Sequence, residues 1–144
     1  MYWQAREIVK RMKRITSILL VENRPADQIA IRHALDSRGI IYAMTVASSA
    51  EEALRIMSVS SRAPEIILAS HELPEMSGLE FARTIRSNRT YSSCRIFILS
   101  SPGSGENRTI PSSAGISGVI TKPLQFNCTT SKDMINLMID LMNG

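Results

Sequence analysis

The sequence has few of the features that mark membrane, secreted or disulfide-built proteins. Of its 144 residues only two are cysteines and 5% are aromatic. Cys94 and Cys128 lie in no metal-ligand spacing, so free thiols are predicted. The apolar run that starts at Ile18 stops at Glu22, and no run approaches the roughly 18 residues of a membrane span. The first residues are too basic and too interrupted for a secretory signal, which predicts a cytoplasmic protein.

What the chain does contain is ordinary for a soluble globular domain. Hydrophobic residues make up 44% and charged residues 21% of the sequence, which excludes a disordered, collagen-like or coiled-coil chain. The length fits one domain with one sizeable core.

The net charge of +4 is concentrated at the N-terminus. Residues 1–14 carry five basic side chains and one acid, while residues 15–144 carry 12 of each sign. We therefore predict a basic N-terminal extension over 1–14 and a neutral domain over 15–144, which offers no basic face to nucleic acid. On a helical wheel the extension has an apolar arc, so it could dock on the domain, on a second copy or on an acidic surface. A frayed, solvated extension is the alternative.

Short apolar runs alternate with amphipathic stretches along the rest of the chain. The runs are apolar on successive residues, as in strands covered on both faces. The predicted strands are Thr16 to Glu22, Ile40 to Val46, Glu65 to Ala69, Arg95 to Ser100 and Gly118 to Thr121. This alternation predicts a doubly wound α/β fold with a five-stranded parallel sheet.

Helix-start signals stand between these strands. Pro25 fits a first helical position, Ser48 and Glu51 have capping-box spacing, and Ser77 can cap a third helix. A last helix starts near Thr130 and carries Met134, Met138 and Met142, which are expected to fill the core. The glycine- and serine-rich stretch from Pro102 and the later Pro111 predict a fourth helix that is short, distorted or partly loop.

Polar residues stand where the predicted strands end. If the strand order is 2-1-3-4-5, the carboxyl ends of strands one, three, four and five surround one shallow site. The residues at these ends are Glu22, Asn23, Ser70, Ser100, Ser101, Thr121 and Lys122.

These pieces resemble the response-regulator receiver domain, the CheY-like fold of two-component signalling. The resemblance covers the chain from about Ile15 onward. It is carried by the segments Ile18 to Asp27, Pro64 to Ser70, Leu73 to Gly78 with Ile85 and Arg86, Ile96 to Ser101, and Gly118 to Pro123. It implies a flavodoxin-like sheet and a phosphorylation site at the strand ends.

Carried over position by position, the resemblance indicates a degenerate phosphoacceptor site. The family has two acids after the first strand, where this chain has Glu22 and Asn23. The phosphoacceptor aspartate stands four residues before the proline of the third loop, which is Pro74, so its equivalent here is Ser70.

The remaining family positions are partly kept. Ser100 supplies the hydroxyl at the end of the fourth strand, and Lys122 supplies the lysine before a proline. Three residues before that lysine the family has an aromatic switch residue, and this chain has Val119, which has no ring to swing inward.

The departures remove the excess negative charge of the site. Three carboxylates against one lysine need a divalent cation, whereas Glu22 against Lys122 sums to zero and can form an ion pair. We therefore expect no cofactor, no metal ligands and weak or absent Mg²⁺ binding. Ser70 would need a base to act as a nucleophile, and His71 should face the other way along the strand. His71 and Glu72 are better explained as a solvated loop than as metal ligands.

The sequence therefore predicts a pseudo-receiver: a non-enzymatic, phosphorylation-independent protein-interaction module. Its expected partners are a sensor kinase, another regulator or a second copy, through the face formed by helix four, strand five and helix five. Two alternatives stay open. One is a phosphorylatable regulator using Ser70 or another acceptor, and the other is an adaptor tethered to membrane or nucleic acid through residues 1–14. Both membrane and nucleic-acid contact rank lower than protein contact.

Overall fold

The computed structural model describes residues 15–37, 39–101 and 115–121. Within these residues, five strands alternate with three helices and one short 3₁₀ turn. The strands are β1 (Thr16–Val21), β2 (Tyr42–Ala47), β3 (Ile66–Ser70), β4 (Arg95–Ser100) and β5 (Gly118–Thr121), and the helices are α1 (Pro25–Asp36), α2 (Ala50–Val59) and α3 (Gly78–Arg86). The 3₁₀ turn is Arg89–Tyr91 and lies between α3 and β4.

All five strands are parallel and form one sheet in the order β2-β1-β3-β4-β5. This order confirms the predicted doubly wound architecture. It leaves β2 and β5 at the edges and β1, β3 and β4 inside. Because the strands are parallel, their carboxyl ends meet at the same edge of the sheet.

The sheet separates two hydrophobic cores. One side buries alternate residues of the inner strands, such as Leu19 and Ile67, against α2 and α3. The other side buries their neighbours, such as Leu20 and Leu68, against Ile31 and Leu35 of α1. The inner strands are therefore buried on both faces, which explains why they are apolar on successive residues.

The second strand does not follow that prediction. In β2, Ala43 and Thr45 are exposed while Tyr42, Met44 and Val46 are half-buried. The expectation of full coverage was wrong here because β2 is an edge strand, and one of its faces is only partly covered.

The helix starts agree with the sequence except for one offset. Pro25 occupies the first turn of α1, and the Ser77 hydroxyl accepts a hydrogen bond from the Glu80 N–H at 3.1 Å. The capping box of α2 was predicted one residue too early. Ser49 is the cap, since its hydroxyl accepts from the N–H of Glu52 at 3.1 Å. The Glu52 carboxylate in turn accepts from the Ser48 N–H at 3.4 Å.

Arg86 links the chain segments at the amino end of the sheet through hydrogen bonds. Its guanidinium donates to the carbonyls of Tyr91, Ser92, Cys94 and Gly115. Gly115 has a φ of 74°, and a Cβ there would lie 2.9 Å from the Arg86 side chain. The segments that lead into β4 and β5 are thus both attached to the last residue of α3.

Cys94 is a free, buried thiol, as predicted. Burial raises its pKa, and the Arg86 guanidinium partly opposes that shift. Among the described residues no helix is long and apolar enough to cross a membrane. The predictions for residues 1–14, the fourth helical stretch, Lys122, Cys128 and the last helix fall outside the described residues.

Candidate functional site

The register of the sheet brings the predicted site residues to one edge. Val21 pairs with Ala69, so Glu22 follows β1 at the level of Ser70, the last residue of β3. Ser100 ends β4 opposite Thr121, the last residue of β5. Lys122, the next residue along the chain, lies outside the described residues, and its pairing with Glu22 stays a prediction.

Three of these side chains are removed from solvent. Glu22 and Ser100 are 0% exposed and Ser70 is 1% exposed, whereas Asn23 is exposed. A buried carboxylate requires polar partners. Glu22 Oε1 accepts a hydrogen bond from the Arg24 N–H at 3.1 Å. Its main-chain N–H donates to the Ala47 carbonyl at 2.9 Å, which continues the β1–β2 ladder.

The alternation of side chains divides the site between the two faces of the sheet. Ser70 is two residues after Leu68 and four after Ile66, so strand alternation puts these three residues on the same face of the sheet. Ile66 and Leu68 pack in the core on the α1 side. Ser100 shares its parity with Ile96 and Ile98, which pack in the core of α2 and α3. By strand alternation, the hydroxyls of Ser70 and Ser100 therefore belong to opposite faces, although both residues end their strands at the same edge.

The sheet ladder continues one residue beyond Ser70. The N–H of His71 donates to the Leu99 carbonyl at 2.8 Å, so His71 is still held beside β4. The alternation of strand side chains then gives His71 the parity opposite to that of Ser70. This register supports the expectation that His71 is badly placed to act as a base for Ser70.

A close backbone contact fixes the loop between β3 and α3. The N–H of Gly78 donates to the His71 carbonyl at 3.1 Å. A Cβ at Gly78 would lie only 2.3 Å from the Ser70 carbonyl oxygen, so this approach requires glycine. The start of α3 is therefore packed directly on the backbone of Ser70.

Val119 lies in β5 and pairs with Ile98 of β4. Its side chain is partly buried and packs against the core of α2 and α3. The position that the sequence assigned to a conformational switch is thus filled by a partly buried aliphatic residue that packs against the core.

An ion pair that the sequence did not predict crosses the site. Arg24 Nη2 lies 3.3 Å from Glu72 Oε2, with the two side chains 57% and 42% exposed. The pair joins the loop after β1 to the loop after β3. The sequence did contain one signal: both charges stand within three residues of the end of a strand that leads into the site. Including them leaves the charge count of the strand-end residues at zero, because the sequence supplies two acids, Glu22 and Glu72, and two bases, Arg24 and Lys122.

Comparison with known proteins indicates the same architecture. The family model of the response regulator receiver domain matches residues 18–132. A two-component response regulator of rice (Oryza sativa subsp. japonica), ORR1, is 26% identical over 130 residues, covering 85% of this chain. The chain spans 54% of the length of that curated relative.

Solved structures give the same fold at lower sequence identity. The receiver domain of a Pseudomonas aeruginosa sensor histidine kinase, with a magnesium ion coordinated in its active site cleft, has a TM-score of 0.71 at 23% identity. That comparison covers 90% of this chain and 99% of the other. A two-component response regulator from Legionella pneumophila has a TM-score of 0.72 at 21% identity, with the same two coverages.

Proposed function

The chain belongs to the response-regulator receiver domain family, and we propose that within two-component signalling it is a pseudo-receiver, which acts by protein–protein contact without aspartyl phosphorylation. The observation that carries this proposal is the residue at the phosphoacceptor position. Ser70 ends β3 and is 1% exposed. A serine hydroxyl, unlike a carboxylate, is not ionised at neutral pH and needs a positioned base to attack a phosphoryl group.

The donor set around Ser70 does not fit the magnesium ion of an acidic receiver site. Mg²⁺ prefers carboxylate oxygens, and the neutral side chains of Ser70 and Asn23 replace two of them. The remaining carboxylate, Glu22, accepts from the Arg24 N–H, and the guanidinium of Arg24 lies at the same edge of the sheet. These contacts support weak or absent Mg²⁺ binding and a site whose charge is balanced by the chain itself.

Phosphorylation of Ser70 by a serine kinase is the alternative, and the structure favours it less. Ser70 is buried, and the backbone of Gly78 is packed against its carbonyl. Because Ser70 is 1% exposed, a kinase could take this hydroxyl into its own active site only after the structure around the end of β3 had opened. The proposal therefore keeps Ser70 as a small polar residue that fills the place of an aspartate.

A receiver without phosphoryl chemistry acts through its surface. We propose a sensor kinase, another regulator or a second copy of the chain as partner, in the cytoplasm and without an enzymatic activity. Ordinary receiver output would need the aromatic switch residue, and the aliphatic Val119, partly buried against the core, supports a state that phosphorylation does not control.

The test is incubation of the protein with a small acyl-phosphate donor and Mg²⁺, followed by intact-mass measurement. We expect no phosphoryl adduct on the wild-type chain. The matched control is the double variant Asn23→Asp with Ser70→Asp, which restores the acidic set and should accept one phosphoryl group. An unrelated phosphorylatable receiver in the same tube establishes that the donor is active. A stable adduct on the wild-type protein would overturn the proposal.

A further inference from the structure

We propose that Arg24 is a positioning residue. Its guanidinium supplies the positive charge that a bound divalent cation supplies in a receiver site with more carboxylates. The inference rests on the proposed function, because it explains how a receiver site without a metal keeps its two carboxylate-bearing loops together. Arg24 contacts one carboxylate through its backbone and the other through its side chain.

The local sequence sets the backbone of Arg24. A residue before proline is restricted to extended conformations, and Arg24, which precedes Pro25, has φ −96° and ψ 116°. In this conformation it is the N-cap of α1, and its N–H points at Glu22 Oε1 at 3.1 Å. The Gln28 side chain donates to the Glu22 main-chain carbonyl at 2.7 Å, which closes the same loop from the helix side.

The side chain of Arg24 then reaches the opposite loop. Its Nη2 lies 3.3 Å from Oε2 of Glu72, two residues beyond Ser70. The loop on that side is itself fixed, since Gly78 donates to the His71 carbonyl and packs on Ser70. Arg24 thus links a buried carboxylate at the end of β1 with an exposed carboxylate that follows β3.

The electrostatic consequence concerns divalent cations. A metal ion approaching Glu72 meets the Arg24 guanidinium at close range. Repulsion between like charges is stronger for a divalent ion than for a monovalent one. Since the ion pair is exposed, salt screens this repulsion. Removing the guanidinium should therefore strengthen metal binding by roughly tenfold at low ionic strength, and by less in high salt.

The experiment measures Mn²⁺ binding to the full chain by electron paramagnetic resonance at low and high salt. Arg24→Gln should bind Mn²⁺ about tenfold more tightly than wild type at low salt. Arg24→Lys keeps the charge and should stay close to wild type. Arg83→Gln is the matched control, because it removes one positive charge from the exposed last turn of α3.

The outcomes separate this inference from the proposed function. If Arg24→Gln binds no more tightly than wild type, or if Arg83→Gln gains as much, the role of Arg24 is refuted while the metal-free proposal stands. If the wild-type chain itself binds Mn²⁺ at micromolar concentration, the metal-free site is refuted, whatever the variants do. Circular dichroism of each variant establishes that the fold is retained, and the exposure of Arg24 makes this outcome expected.

Discussion

The two ends of the sheet are each crossed by an arginine, and the two arginines differ in what holds them. At the amino end, Arg86 donates to four backbone carbonyls from the segments before β4 and β5. At the carboxyl end, the side chain of Arg24 pairs with one carboxylate, that of Glu72, and more than half of that side chain is exposed.

This difference indicates which end of the sheet is held more rigidly by its arginine. Main-chain carbonyls near the sheet have little freedom to move away from Arg86, and bonds from a charged donor are stronger than neutral ones. The Arg24–Glu72 pair joins two long, exposed side chains, and salt and side-chain entropy weaken such a pair. The amino end should therefore determine the stability of the domain, while the carboxyl end keeps side chains that can be exchanged with small effect on folding.

The largest expected effect comes from removing the Arg86 guanidinium. Arg86→Met should lower the free energy of unfolding by about 2–3 kcal/mol, because four carbonyls lose a charged donor, two of them in partly buried hydrogen bonds. Urea unfolding followed by circular dichroism measures this loss. Arg83→Met is the matched control on the exposed side of the same helical turn, and it should change stability by less than about 0.5 kcal/mol. Equal losses in the two variants would remove the contrast between the two ends.

A second, smaller effect tests what holds the carboxyl end itself. Gly78→Ala places a methyl group against the Ser70 carbonyl, where the Cβ would come within 2.3 Å, so α3 or β3 must shift. The expected loss is about 1–3 kcal/mol, as for other overpacked sites. Thermal unfolding of this variant is compared with that of Thr84→Ala, whose side chain is exposed on the same helix. A Gly78→Ala variant as stable as Thr84→Ala would show that the loop tolerates a shift at little cost.

The residues at the carboxyl end of the sheet also show what could be predicted from the sequence and what could not. Strand ends follow from apolar runs, so Glu22, Ser70 and Ser100 could be assigned to one edge of the sheet from the sequence alone. The exposed face of β2 was missed because a run of apolar letters does not reveal whether its strand lies at an edge.

Contacts that depend on loop geometry were beyond the sequence. The Ser48 and Ser49 pair offers two capping registers, and only the backbone conformation at Ser49 selects one. The pairing of Arg24 with Glu72 requires two loops, 48 residues apart in the chain, to come together over the site. The sequence spacing that predicts a helix or strand carries no information about such a distance.

The smallest expected effect is the contribution of the Arg24–Glu72 ion pair to the free energy of unfolding. Measuring it tests directly whether the two ends of the sheet differ. A double-mutant cycle of Arg24→Gln and Glu72→Gln, measured by urea unfolding, should give a coupling energy of about 0–1 kcal/mol. High salt should reduce that coupling, because both side chains are exposed. A coupling above about 2 kcal/mol, or one that salt does not change, would mean that the pair behaves like the Arg86 contacts. The carboxyl end would then be as fixed as the amino end, and the loops around Ser70 would be held by a structural ion pair rather than by an exchangeable one.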